Sequence, residues 1–175
     1  SPSGQLTSVR TKGTVCVQSP LTTGSSSGEY CVIWCGPDFP TDQRQDDINS
    51  ICFDTEPLEN SISILGACEL KLAITSDQDC GQVVVRLCDV SPSGSSKRIS
   101  YGILNLAMRS GLDCPKLVVP GEVMNVSIKL DDTGYEIPVG HKLRLAVSTA
   151  YFPLIWPAPK KAKLTLDLAS SCLTI

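Results

Sequence analysis

The chain has 175 residues, 42% of them hydrophobic and 19% charged, with a net charge of -3 at pH 7. That length supports one domain whose core buries roughly 70% of the surface its unfolded chain exposes, so no covalent staple is needed. The acidic balance excludes the basic face of a nucleic-acid binder, and no stretch approaches the roughly 20 apolar residues that span a bilayer.

Residues 1–45 are irregular and read as an extended arm packed on a sandwich formed by 46–175. The opening "SPSGQLTSVR" carries no signal-peptide apolar region. "TTGSSSGE" at 22–29 has the composition of an exposed loop. "FPTDQRQDDINS" at 39–50 then places Asp42, Asp46 and Asp47 around Arg44. The stretch lacks the oxygen-ligand spacing of a metal loop, and no nucleophile accompanies it. It reads as a polar hinge, with Asp42 and Arg44 available for contacts and Asp46 and Asp47 facing solvent.

Strand patterns dominate from there. Leu70, Leu72 and Ile74 alternate with Lys71, Ala73 and Thr75, and Val83, Val85 and Leu87 continue the period of two. It recurs in Leu104, Leu106 and Met108, in Met124, Val126, Ile128 and Leu130, in Leu143, Leu145 and Val147, and in Leu164, Leu166 and Leu168. Such alternation turns one face of each segment to a core and the other to water. Turn residues separate the segments at "SPSGSS" (91–96), "VPGE" (119–122) and "DDTGYEIPVG" (131–140). Eight or nine short strands at this spacing predict an all-β antiparallel sandwich of jelly-roll topology, similar to galactose-binding domains.

The nine cysteines, at 16, 31, 35, 52, 68, 80, 88, 114 and 172, include only one close pair, Cys31 and Cys35. The one histidine, His141, lies far from that pair, so no metal site and no cofactor is expected. Cys52, Cys68 and Cys88 sit in apolar runs, where a free thiol serves as a small hydrophobe. This favours reduced cysteines and a cytoplasmic setting. His141 opens the strand at "GHKLRL" and reads as structural, because no G-x-S-x-G serine accompanies it. Asn125-Val126-Ser127 is a formal glycosylation sequon inside an alternating strand.

"TAYFPLIWPAPKKAK" interleaves Tyr151, Phe152, Ile155 and Trp156 with Pro153, Pro157 and Pro159. A strand does not run through three prolines, so this is an irregular aromatic connection. It covers the core or offers an aromatic surface to a partner; both readings stand on the residues alone.

Several segments in order resemble the C-terminal domain of the X-prolyl dipeptidyl peptidase and cocaine-esterase-like hydrolase family. These are Asp42-Gln43-Arg44, "FDTEPL" (53–58), "ISILG" (62–66), "VRLCDVSPSG" (85–94), "YGILNLAMRSG" (101–111), "LVVPGE" (117–122) and "GHKLRLAVSTAYFPLIWPAP" (140–159). The resemblance covers about residues 13 to 170. It implies a jelly-roll accessory domain that is not itself catalytic. Its partner would be an α/β-hydrolase domain carrying the Ser-His-Asp triad in the same polypeptide, whose acyl or peptide pocket it helps to shape. No triad residue can be carried over, and His141 matches a structural strand-opening position. On this reading Asp42, Arg44, Tyr151, Phe152 and Trp156 lie at the interdomain surface. An oligomer is compatible with it. The alternatives are a free-standing jelly-roll module binding carbohydrate or protein, which nine aromatics without a strand-face stripe do little to support, and a cysteine hydrolase using His141.

Overall fold

The computed structural model describes residues 3–6, 12–28 and 39–175. The Cys31–Cys35 pair lies outside the described residues. Two sheets form a sandwich. The first holds five strands in the order β1 (Ser3–Gln5), β3 (Ile51–Asp54), β10 (Lys142–Ser148), β6 (Gln82–Val90), β7 (Ser96–Asn105). The second holds four: β2 (Thr14–Val17), β11 (Leu164–Thr174), β5 (Glu69–Ser76), β8 (Met124–Lys129). A two-stranded ribbon of β4 (Ile62–Gly66) and β9 (Thr133–Ile137) flanks them. Pairing is antiparallel except between β1 and β3, which are parallel. From β3 onward the chain passes ribbon, second sheet, first sheet, and back again, as a jelly roll requires.

The core lies where the alternation places it. Leu70, Leu72 and Ile74 of β5, Met124, Val126 and Ile128 of β8, and Leu164 and Leu166 of β11 face Val83, Val85, Leu87, Leu143, Leu145 and Val147 of the other sheet. At Gly102 of β7 an added Cβ would stand 2.8 Å from the Lys129 carbonyl, so this position admits the close approach of β8. Segments 1–45 supply an edge strand to each sheet, β1 and β2.

Four sequence expectations need correction. The Leu104-Leu106-Met108 alternation does not continue as strand, because β7 ends at Asn105 and a 3-10 turn spans Leu106–Met108. Asn105 Oδ1 caps that turn by accepting from the Ala107 amide, and the Leu106 amide donates to the Gly81 carbonyl. Residues 131–140 are not only a turn: Thr133–Ile137 pair with β4. The loop at 22–28 is not exposed throughout, since Thr23, Ser26 and Ser27 are buried. Asp46 and Asp47 do not face solvent; both are buried, in a five-residue helix α1 (Arg44–Ile48) that precedes β3.

A candidate interdomain face

In β6 every residue from Gln82 to Val90 is buried, on both faces of the strand. One face is the apolar core. The other carries Arg86 and Cys88, with Arg144 and Ala146 from β10 and Cys52 and Asp54 from β3 beside them in register. Charged side chains there can be covered only if each finds a partner. Helix α1, the loop 20–28 and the connection after β10 supply the cover and the partners.

Arg86 is wholly buried and donates from Nη1 to Gln43 Oε1 (3.1 Å) and from Nη2 to Ser50 Oγ (2.7 Å). Its Nη1 also lies 3.0 Å from Asp47 Oδ1, an ion pair by distance whose angle is not that of a hydrogen bond. Arg144 completes the set. It donates from Nη1 to Asp47 Oδ2 (2.9 Å) and forks onto both Asp54 oxygens at 2.7 Å, a bidentate pair that holds its charge firmly. Burial pushes the thiols of Cys52 and Cys88 to about 12, so neither is a ready nucleophile.

Asp46 fastens the loop. Its oxygens accept from the amides of Gly24 (2.7 Å) and Ser26 (3.0 Å). Gln43 binds the same loop from its Nε2, at the Ser26 carbonyl (2.5 Å). The loop in turn holds the aromatic connection, for the Phe152 amide donates to the Thr23 carbonyl at 2.8 Å. Gly24, at φ +116°, sits so close that an added Cβ would overlap the Phe152 carbonyl oxygen at 2.1 Å.

Tyr151 is the link that sequence reasoning placed at the surface. It is fully buried within this chain, and it cannot be an exposed contact. Its hydroxyl donates to Gln43 Oε1 (2.6 Å) and accepts from Arg98 Nη1 (2.7 Å). Burial pushes that phenol to about 12 against the pull of Arg98 and Arg86. Beyond Tyr151 the chain surfaces. Phe152 is 40% exposed and Trp156 80%, with ring centroids 5.5 Å apart. Asp42 and Arg44 are tied to the start of β7: Asp42 Oδ1 accepts from the Ser96 amide (3.1 Å), and Oδ2 from Arg44 Nε (2.9 Å). Phe152 and Trp156 are accessible towards the Gln82 end of β6, where Gln82 Nε2 donates to the Trp156 carbonyl, with Tyr151 as the buried anchor of their connection, whereas Asp42 and Arg44 lie at the Val90 end, where Ser96 pairs with Val90.

His141 is elsewhere. Its Nδ1 and Asp89 Oδ1 are bonded at 2.7 Å, and Asp89 Oδ2 accepts from the Tyr135 hydroxyl at 2.9 Å. Among the described residues no serine or cysteine is bonded to His141, and no cluster of three His, Cys, Asp or Glu side chains could hold a metal ion. Two surface grooves, of about 310 Å³ along β4 and about 240 Å³ between β2 and α1, are lined by no histidine, acidic or basic side chain. No described helix is long and apolar enough to cross a membrane.

Sequence reading missed Gln43, Arg86, Arg98 and Arg144. A lone arginine inside a valine-rich strand, "VVVRLC", was the available signal for Arg86, because a charge in a doubly buried run needs a partner.

Comparison with known proteins agrees with this architecture. The X-Pro dipeptidyl-peptidase C-terminal non-catalytic domain matches residues 4–174. Cocaine esterase of Rhodococcus sp. (strain MB1 Bresler) is 30% identical over 122 residues, covering 67% of this chain and 21% of that protein. Xaa-Pro dipeptidyl-peptidase of Streptococcus thermophilus (strain CNRZ 1066) is 26% identical over 169 residues, covering 78% of this chain and 22% of that protein. A solved aminopeptidase from the marine sediment archaeon Thaumarchaeota archaeon shares the fold with a TM-score of 0.76 at 18% identity, over 97% of this chain and 33% of that one. The chain spans about a fifth of the length of these curated relatives.

Proposed function

The chain belongs to the family of X-Pro dipeptidyl-peptidase C-terminal non-catalytic domains, and from that premise we propose that it docks on an α/β-hydrolase domain of the same polypeptide and helps to shape that domain's acyl or peptide pocket. The observation that carries this reading is the Phe152–Trp156 pair, exposed on a connection that Tyr151, Gln43 and Thr23 hold rigid from beneath. Aromatics are enriched at interface centres, and a rigid anchor loses little entropy on binding. The Asp42–Arg44 pair at the start of β7 suits a polar rim. The reading places the chemistry in the partner domain, in keeping with a family described as non-catalytic. The seven described cysteines are free, which supports a reducing, cytoplasmic setting.

The test uses the hydrolase domain of the same polypeptide supplied in trans and titrated calorimetrically with this chain. Trp156→Ala should weaken binding by about 2 kcal/mol, roughly thirtyfold, as a central aromatic does. The isolated chain's melting should move by no more than the ~0.5 kcal/mol usual for a surface change. Unaltered affinity, or a polypeptide encoding no such domain, would sink the reading.

A further inference from the structure

We propose that Arg98 receives a carboxylate, an Asp or Glu side chain on the surface of the hydrolase domain that docks on this face. This rests on the docking reading above and names the chemistry of its partner. The register of β7 on β6 is irregular at this point. Ser100 pairs with Leu87, but Arg98 pairs with Cys88, so Ile99 is the extra residue of a β-bulge. In a regular strand residues three apart point to opposite faces. The bulge brings Arg98 to the face of Tyr101, which pairs with Arg86 on the outer side of the sheet. The guanidinium carbon then lies 4.6 Å from the Tyr101 ring centroid.

Two tyrosines therefore hold Arg98: Tyr101, and Tyr151, whose ring centroid lies 5.5 Å from the guanidinium carbon and whose hydroxyl, itself bonded to Gln43, accepts from Nη1 at 2.7 Å. The other arginines of this side all have acids: Arg86 has Asp47, Arg144 has Asp47 and Asp54, and Arg44 has Asp42. Arg98 has none among the described residues, and they engage one of its five N–H groups. Lys97, next in the chain, does not share the site, because its Nζ stands 4.8 Å over Tyr135. What Arg98 offers is the remaining N–H groups of a half-buried, tethered guanidinium, a fork that a carboxylate matches with two parallel hydrogen bonds.

The experiment follows the Arg98 Nε–Hε resonance by NMR while the chain is titrated with acetate, inorganic phosphate or chloride. Acetate should shift it saturably and chloride should not. The acetate affinity, read in both chains from the Tyr101 and Tyr151 ring signals, should fall at least tenfold in Arg98→Lys, which keeps the charge but loses the fork, while the amide spectrum reports any loss of fold. In the trans-docking titration Arg98→Gln should lose at least tenfold. Saturation by phosphate but not acetate, or no saturation by either, overturns the carboxylate site. If Arg98→Gln docks as tightly as the unaltered chain, the docked-carboxylate proposal is overturned while the docking reading survives. If the unaltered chain fails to dock although acetate binds Arg98, the docking reading is what fails.

Discussion

The two faces of the five-stranded sheet are buried by opposite means. On the inner face Val83, Val85, Leu87, Leu143, Leu145 and Val147 meet the second sheet, and area removed from water is the whole of the argument. On the outer face Arg86 and Cys52 are buried and Arg144 and Asp54 half-buried beside α1, and such burial is possible only because charge meets charge. The inner face asks for apolar volume, which many side chains supply. The outer face asks for particular partners at particular atoms. A packed core tolerates exchange of shape, whereas a buried ion pair punishes loss of one member.

Substitution by methionine should separate the two regimes most widely. Leu87→Met keeps apolar volume and should cost under about 1.5 kcal/mol. Arg86→Met keeps length but leaves Gln43 Oε1, Ser50 and Asp47 short of a donor, and should cost about 3–5 kcal/mol. Urea denaturation of the two variants measures the gap. Equal costs would mean that the outer face is held by packing like the inner one.

The same contrast explains what could be read from the amino acids. Alternation in "ELKLAITS" and "MNVSIKL" marks β5 and β8 because one side of each meets solvent. It marks the family as well, since ordered segments such as "GHKLRLAVS" survive as strands. Asp46 and Asp47, expected to face solvent, are buried instead. Their partners lie 20 to 97 residues away, at Gly24, Ser26, Arg86 and Arg144, and no local pattern encodes such pairings. The burial of Tyr151 escapes the sequence for a similar reason. Nothing in "TAYFPLIW" says that the first aromatic turns inward to Gln43 while Phe152 and Trp156 turn out.

A smaller effect tests the cover itself. Gly24 and Gly94 both adopt positive φ, at +116° and +86°, but only Gly24 abuts another backbone. Alanine at Gly94 meets nothing within 4 Å and should cost only the strain of the left-handed region, about 1–3 kcal/mol. Alanine at Gly24 carries that strain too and must also part the loop from Phe152, about 1–3 kcal/mol more by the usual cost of overpacking. If thermal melts place the two variants together, the loop does not hold the aromatic connection as tightly as the structure indicates.

The least effect belongs where the charged face reaches solvent. Desolvation raises the Asp42 carboxyl, but hydrogen bonds from the Ser96 amide and from Arg44 outweigh it and hold the group at about 2. Its unfolded value is about 3.9, so the folded state binds this proton less readily than the unfolded chain does. Stability from Asp42 is therefore complete above about pH 4 and lost as pH falls towards 2. Being partly exposed and screened, the pair contributes roughly 1 kcal/mol or less. Asp42→Asn should lower stability by a constant amount between pH 7 and 5, and the difference from the unaltered chain should shrink between pH 4 and 2. A difference that persisted at pH 2 would place the role of Asp42 in its shape rather than its charge. The hinge would then join the inner core as a matter of packing, and the buried arginines alone would mark the outer face as electrostatic.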